Sequence, residues 1–160
     1  MSLYFPERPI ISLQHVPRIS IVASRYNNSF VDVMLEQTEQ ELMAIAPATT
    51  IEVTRVQGAF EIPVLASIVA QRRSPDAIIA LGVILQGETA HAHLIATSIT
   101  DALMKLSIDH ALPVVHEVLL LDHAEQAAER CLSDSANRGV EAARAAFTAI
   151  EAIKEVTSKE

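Results

Sequence analysis

The sequence predicts an α/β fold, a three-layer sandwich in which helices flank both faces of a four-stranded, mainly parallel sheet. Four runs rich in branched apolar residues alternate with longer segments whose apolar residues recur every three or four positions. This alternation is typical of strand–helix–strand crossovers, which join parallel strands. A length of 160 residues suits one domain with a substantial core.

The first two strands are predicted to differ in burial. Residues 19–23 form a short apolar strand, and residues 27–29 form a turn and helix cap. The helix that follows should end before Pro47, since the residue preceding a proline disfavours helical backbone. Residues 51–56 alternate in polarity, which indicates a strand near the sheet edge. Pro63 suits the first turn of a second helix.

A third strand is indicated by residues 76–85, in which Asp76 is followed by an unbroken apolar run without alternation. Such a run is expected of a parallel strand covered on both faces. Gly87 ends it, Thr89 is the predicted N-cap of the next helix, and His91 lies in that helix's first turn. The unpaired N–H groups and positive dipole end of such a helix would attract an anion beside a titratable imidazole.

The last third of the chain predicts one more strand and two helices. Residues 113–121 form the fourth strand, residues 124–131 a short helix, and residues 140–153 a closing amphipathic helix. Ahead of the single domain at residues 16–160, residues 1–15 read as an N-terminal arm. Its apolar residues 10–13 could add an edge strand, including one to a neighbouring subunit.

Composition excludes several functional classes. The formal net charge of −8 argues against nucleic acid or an anionic membrane as the main partner. No apolar run approaches the roughly 18 residues that span a bilayer. The single cysteine, Cys131, excludes an internal disulfide and fits a reducing compartment, so we predict a cytoplasmic location and a packing role for this thiol.

Ligands of parallel α/β sheets bind outside the carboxyl ends of the strands, where Tyr26, Glu61 and His91 are predicted to lie. Tyr26 is either a surface tyrosine or an aromatic face for a planar ligand. Glu61 either lies at a helix start, where an acidic side chain interacts favourably with the helix dipole, or accepts hydrogen bonds from a ligand. His91 is either structural or the acid–base group, because an imidazole titrates near neutral pH.

Two arginines and two histidines are further candidates for binding phosphate or a metal ion. Arg130 and Arg138 flank a polar loop and are either solvated or phosphate ligands. Residues two apart on a helix point to different faces, so His91 and His93 cannot readily chelate one ion. With no His-Glu-x-x-His motif and no cysteine pair, no metal site is expected.

Six segments spread over residues 16–153 resemble the lumazine synthase (6,7-dimethyl-8-ribityllumazine synthase) family. They are Tyr26-Asn27, which resembles an aromatic-Asn pair; Val56-Gln-Gly-Ala-Phe-Glu-Ile-Pro63, which resembles V-P-G-A-F-E-I-P; Gly82-Val-Ile-Leu-Gln-Gly-Glu-Thr-Ala-His91, which resembles G-V-V-I-R-G-x-T-x-H; Leu112-Pro-Val-Val115, which resembles V-P-V-I; Glu125-Gln-Ala-Ala-Glu-Arg130, which resembles E-Q-A-x-E-R; and Asn137-Arg-Gly139, which resembles N-K-G. The resemblance implies a flavodoxin-like sheet and a homo-oligomer, a pentamer or a multiple of it.

The resemblance also implies a reaction of riboflavin biosynthesis without metal or organic cofactor. 5-Amino-6-(D-ribitylamino)uracil condenses with 3,4-dihydroxy-2-butanone 4-phosphate to give 6,7-dimethyl-8-ribityllumazine, phosphate and water. His91 and Arg130 would be catalytic, with His91 moving protons and Arg130 pairing with phosphate from the adjacent subunit. Substrate-binding roles would fall to Tyr26, Asn27, Gly58, Ala59, Phe60, Glu61, Ile84, Leu85, Glu88, Thr89, His116 and Arg138.

Gln57 and Gln86 replace a proline and an arginine of the family pattern, and four further departures support an alternative function. Ala92-His93 stands where the family has an aromatic residue and an acid, His116 where an aromatic residue is common, and Glu117 where glycine is frequent. The alternative is a non-catalytic relative that binds a lumazine or flavin, or that mainly builds a shell.

Overall fold

The structure, a computed structural model, describes residues 6–12 and 15–158. Its sheet contains strands β1 (Arg18–Ser24), β2 (Thr50–Val56), β3 (Ala77–Leu85) and β4 (Val114–Leu121) in the order β2-β1-β3-β4. All three pairings are parallel. The predicted four-stranded sheet is therefore confirmed, and β2 lies at the edge as its alternating sequence indicated.

Helices cover both faces of the sheet, which confirms the predicted three layers. One face carries α1 (Asn28–Ile45), α4 (Ala124–Cys131) and α5 (Arg138–Thr157). The other carries α2 (Ile62–Arg73) and α3 (His91–His110). Among the described residues, no helix is long and apolar enough to cross a membrane.

Strand β3 lies between the two halves of the hydrophobic core. Ile79 and Leu81 are fully buried against α1, α4 and α5, whereas Ile78 and Ala80 are buried against α2 and α3. Successive side chains of a strand point to opposite faces of the sheet. A strand with helices on both sides must therefore be apolar at every position, which explains the uninterrupted run in the sequence.

Two predicted local features differ in the structure. Helix α3 begins at His91 with Ala90 as its N-cap, one residue later than a Thr89 cap requires. The Thr89 hydroxyl nevertheless accepts a long hydrogen bond, 3.4 Å, from the His91 N–H. The described part of the arm, residues 6–12 and 15, forms no strand in this chain, and Leu13 lies outside the described residues.

The arm is instead held against α1 and α5 by charged side chains. Arg8 donates to both carboxylate oxygens of Glu41, at 3.0 and 2.7 Å. Arg144 donates to Glu41 at 2.7 Å and to the Pro6 carbonyl at 2.6 Å. Burial alone would raise the pKa of the Glu41 carboxyl, but the hydrogen bonds from the two arginines outweigh it and hold the pKa below its ordinary value.

Candidate functional site

A cavity of about 590 Å³ lies at the carboxyl edge of the sheet, where the sequence predicted that the strand-end residues would converge. The loop after β1, the turn after β2, the end of β3 and the start of α3 form its walls. The lining residues are Tyr26, Asn27, Gly58, Ala59, Phe60, Glu61, Val83, Ile84, Leu85, His91, Leu94, Ile95 and Ser98.

The turn after β2 brings its backbone unusually close to an aromatic ring. A Cβ added at Gly58 would lie 3.4 Å from ring atoms of Tyr26 and 3.1 Å from a carboxylate oxygen of Glu61. Glycine therefore lets the Tyr26 ring lie against the turn. Residues Ala59–Glu61 continue as a short 3-10 turn that leads directly into α2.

Glu61 holds this turn in shape. Its Oε2 accepts a hydrogen bond from the Gly58 N–H at 2.6 Å. Pro63 follows in the first turn of α2, as predicted from its restricted backbone. The Glu61 side chain thus points back into the cavity wall.

Asn27 ties the first loop to the central strand. Its Nδ2 donates to the Val83 carbonyl at 2.8 Å. Its backbone is left-handed, with φ 55° and ψ 40°, a conformation that asparagine tolerates better than most residues. Asn27 is the N-cap of α1, but its side chain makes no capping hydrogen bond because it reaches Val83 instead.

One face of α3 supplies the remaining wall. His91 is the first residue of the helix, and Leu94, Ile95 and Ser98 lie three, four and seven positions later, on the same face. Leu94 is 66% exposed, so its apolar side chain is available to a ligand in the cavity. His93 is exposed and does not line the cavity.

The side chain of Gln86 bridges two backbone carbonyl groups of the loop between β3 and α3. Its Nε2 donates to the carbonyls of Gly87 and Thr89, each at 3.2 Å. Glu88 and Thr89 are exposed beside the cavity and do not line it. The carboxamide therefore orders the loop in which the resemblance places the phosphate.

His116 lies on β4 and contacts α3 outside this cavity. The Thr100 hydroxyl donates to the Ala96 carbonyl at 2.9 Å, so the His116 Nε2, also 2.9 Å from that hydroxyl, acts as a donor to it. Its Nδ1 accepts from the Val118 N–H at 3.4 Å. Burial lowers the pKa of His116, which keeps the ring neutral in this arrangement.

The two arginines near the end of β4 have different surroundings. Arg130, on α4, contacts the Gln126 carbonyl at 3.4 Å and the exposed Glu129 carboxylate at 3.7 Å. Arg138, at the start of α5, forms ion pairs with Glu117 and Glu141. Neither arginine lines the cavity.

Burial shifts the pKa values of two further groups, Glu117 on β4 and Cys131 on α4. Burial raises the pKa of Glu117 to about 7 in spite of the nearby Arg138. Cys131 is fully buried, and burial raises the pKa of its thiol to about 12, which confirms the packing role. Within the described ranges, no three His, Cys, Asp or Glu side chains are grouped so that they could hold a metal ion.

The structure therefore brings together nine of the predicted site residues and leaves five outside the cavity. Those outside are Glu88, Thr89, His116, Arg130 and Arg138. Four lining residues, Val83, Leu94, Ile95 and Ser98, were not among the predicted site residues. For the three on α3, the signal was available in the sequence as their helical spacing from His91.

Comparison with known proteins identifies the family of the chain. Residues 16–154 match the family model described as 6,7-dimethyl-8-ribityllumazine synthase. The chain is also 35% identical over 156 residues to the 6,7-dimethyl-8-ribityllumazine synthase of Mycobacterium avium (strain 104), covering 96% of this chain and 95% of that protein. The chain thus belongs to the 6,7-dimethyl-8-ribityllumazine synthase family.

Proposed function

We propose that the cavity at the carboxyl edge of the sheet is where this transferase of riboflavin biosynthesis condenses its two substrates. The chain is a lumazine synthase by family and by similarity over nearly its whole length. The reaction joins 5-amino-6-(D-ribitylamino)uracil to 3,4-dihydroxy-2-butanone 4-phosphate and releases 6,7-dimethyl-8-ribityllumazine, phosphate and water. The observation that carries the site proposal is the convergence of three strand ends and the first turn of α3 on one cavity.

The pyrimidinedione half of the site is proposed to lie on the β1 and β2 ends. The exposed ring of Tyr26 offers a face for stacking, and Phe60 is similarly exposed. Ala59, Phe60 and Glu61 would line the ribityl site beside Gly58, with the carboxylate of Glu61 accepting from the ribityl hydroxyl groups. The backbone of Ile84 and Leu85 at the end of β3 would pair with the ring, with Asn27 holding the adjoining loop.

The phosphate half is proposed to lie at the start of α3. Glu88 and Thr89 would offer backbone N–H groups, and the helix dipole favours an anion there. Arg130 of an adjacent subunit would pair with the phosphate. His91, at the first position of α3, is proposed to move protons during imine formation and phosphate loss, steps that need a group able to titrate near neutral pH.

A homo-oligomer, a pentamer or a multiple of it, is proposed to complete the site. Arg130 and His116 do not line the cavity of their own chain, so a neighbouring subunit would have to supply them. Large apolar side chains on the outer helices are left exposed, with Val64 and Ile68 on α2 and Met104 and Ile108 on α3. Sedimentation of the purified protein tests this, and a monomer at micromolar concentration would contradict it.

We also propose a cytoplasmic location, supported by a lone cysteine that is buried and unpaired with another cysteine. Fractionation of cells expressing the full chain, followed by immunodetection, tests this location.

The proposed function is tested by comparing His91→Asn with His93→Asn. Lumazine absorbance is followed after both substrates are mixed with each purified variant. His91→Asn is expected to lower kcat by about 100-fold, the usual contribution of a general acid–base group. His93→Asn is the matched control, since His93 lies two residues away and outside the cavity, and it should retain activity.

Two outcomes would count against the proposal. Equal rates for His91→Asn and the unaltered protein would refute the role of His91. Unaltered protein that makes no product above the spontaneous reaction would instead favour the non-catalytic alternative.

A further inference from the structure

Arg138, at the start of α5, lies between two residues whose positions are fixed by hydrogen bonds and packing, Asn137 and Gly139. Asn137 Oδ1 accepts from the Gly139 N–H at 2.8 Å, and its Nδ2 donates to the Cys131 carbonyl at the end of α4. A Cβ added at Gly139 would lie 2.1 Å from the Met34 carbonyl oxygen, so α5 packs directly on the backbone of α1. The backbone position of Arg138 is therefore set by packing.

The guanidinium of Arg138 is occupied by two carboxylates. Nε and Nη2 donate to the two oxygens of Glu117, at 3.1 and 3.4 Å, and Nη1 donates to Glu141. The side chains of Glu117 and Arg138 are only 7% and 14% exposed. A substrate phosphate would have to compete with these two carboxylates for the guanidinium. Displacing Glu117 would leave a buried carboxylate without its counter-ion.

Arg130 makes weaker contacts with its neighbours than Arg138 does. Its side chain is 30% exposed, and its carboxylate neighbour Glu129 is 3.7 Å away and 72% exposed. The contact with the Gln126 carbonyl, at 3.4 Å, lies near the limit for a hydrogen bond. An incoming phosphate could take over these contacts without uncovering a buried charge.

We infer that Glu117 is a specificity-determining residue that withdraws Arg138 from substrate binding and leaves the phosphate to Arg130. The cluster of one guanidinium and two carboxylates has no surplus of positive charge to offer an anion. This inference rests on the proposed function, and it replaces the substrate-binding role that the resemblance implied for Arg138. Glu117 stands where the resemblance implies that glycine is frequent, so the pairing depends on a residue that departs from the family pattern.

The experiment compares Arg130→Gln with the double variant Glu117→Gln/Arg138→Gln in the whole oligomer at pH 8. The double variant removes both charges together, so no buried carboxylate is left unpaired. KM is measured for each substrate, and inorganic phosphate is used as a competing inhibitor. Thermal unfolding of each variant checks that it is folded.

Arg130→Gln is expected to raise the KM of the phosphorylated substrate and the inhibition constant of phosphate by about 10- to 100-fold, the range for losing a charge-assisted pair. The double variant is expected to change both by less than about twofold, within the error expected for residues that do not touch the ligand. Its KM for the pyrimidinedione should also be unchanged.

A double variant that weakens phosphate as much as Arg130→Gln would overturn the inference. A third outcome is that neither variant changes the KM of the phosphorylated substrate or the inhibition constant of phosphate. In that case the proposed phosphate role of Arg130 fails, but the withdrawal of Arg138 from substrate binding is supported. If the double variant does not fold, Arg138→Lys is measured in its place, because it keeps a cation beside Glu117. A shift of its phosphate inhibition constant of about tenfold, in either direction, would also overturn the inference.

Discussion

The carboxylate of Glu61 accepts a hydrogen bond from the backbone N–H of Gly58, with Oε2 2.6 Å from the nitrogen. The bond closes the turn between β2 and α2 and sets one wall of the candidate site. It also places the Glu61 carboxylate next to the position that a Gly58 side chain would take, close to the Tyr26 ring. Ordering of this turn and substrate binding are therefore expected to depend on the same carboxylate.

Glu61→Ala should weaken both folding and binding. The Gly58 N–H loses its charged acceptor, and such a bond contributes about 1.5–3 kcal/mol. Glu61→Gln keeps an oxygen acceptor and should retain most of that stability. Urea unfolding measures the difference, and the KM for the pyrimidinedione should rise more for the alanine variant. Equal unfolding midpoints for the two variants would contradict this assignment.

Two substitutions of Asn27 should separate its hydrogen bond from its backbone conformation. Asn27→Gly loses the bond to the Val83 carbonyl, for a loss of about 1 kcal/mol. Asn27→Ala loses the same bond and must also hold a left-handed backbone at φ 55°, which costs about 1–2 kcal/mol more. Chemical denaturation of both variants checks the order, and an alanine variant as stable as the glycine variant would contradict it.

Gly139→Ala should severely destabilise the fold. Its Cβ would lie 2.1 Å from the Met34 carbonyl oxygen and 2.8 Å from Thr38 Oγ1, and neither helix can move without disturbing the core. We expect a loss of about 3 kcal/mol, at the upper end for overpacking. Gly87→Ala is the matched control, since nothing lies within 4 Å of a Cβ there. Thermal unfolding should show a large shift for the first variant and little for the second.

Glu117 should make stability depend on pH. Burial raises its folded-state pKa from 4.5 to about 7, so the folded protein holds this proton more tightly than the unfolded chain does. The resulting stabilisation is present in full below pH 4.5 and is lost as the pH rises through about 7.

The measurement compares Glu117→Gln with the unaltered protein by urea unfolding between pH 4.5 and 8. The stability of the unaltered protein relative to the variant should fall across that interval, since glutamine does not titrate. A constant difference would show that Arg138 compensates the carboxylate fully at every pH.

The alternation of strands and helices, the edge position of β2 and the buried position of β3 could all be predicted from the sequence. Each depends on a periodicity that the chain carries locally, as in the unbroken apolar run of β3. The start of α3 was predicted one residue early, because threonine is a favoured cap and alanine a poor one, whereas the observed cap is Ala90 and has no side-chain capping bond. The convergence of Tyr26, Glu61 and His91 followed from the parallel order of the strands.

The sequence by itself determined the fold class, the family resemblance and which edge of the sheet carries the site. Only the tertiary structure decided which charges are available there. Arg130 and Arg138 look alike as isolated arginines, but one has weak exposed neighbours and the other pairs with Glu117, 21 residues away. The availability of a charge depends on burial and on counter-ions brought from distant segments, and neither can be read from local spacing.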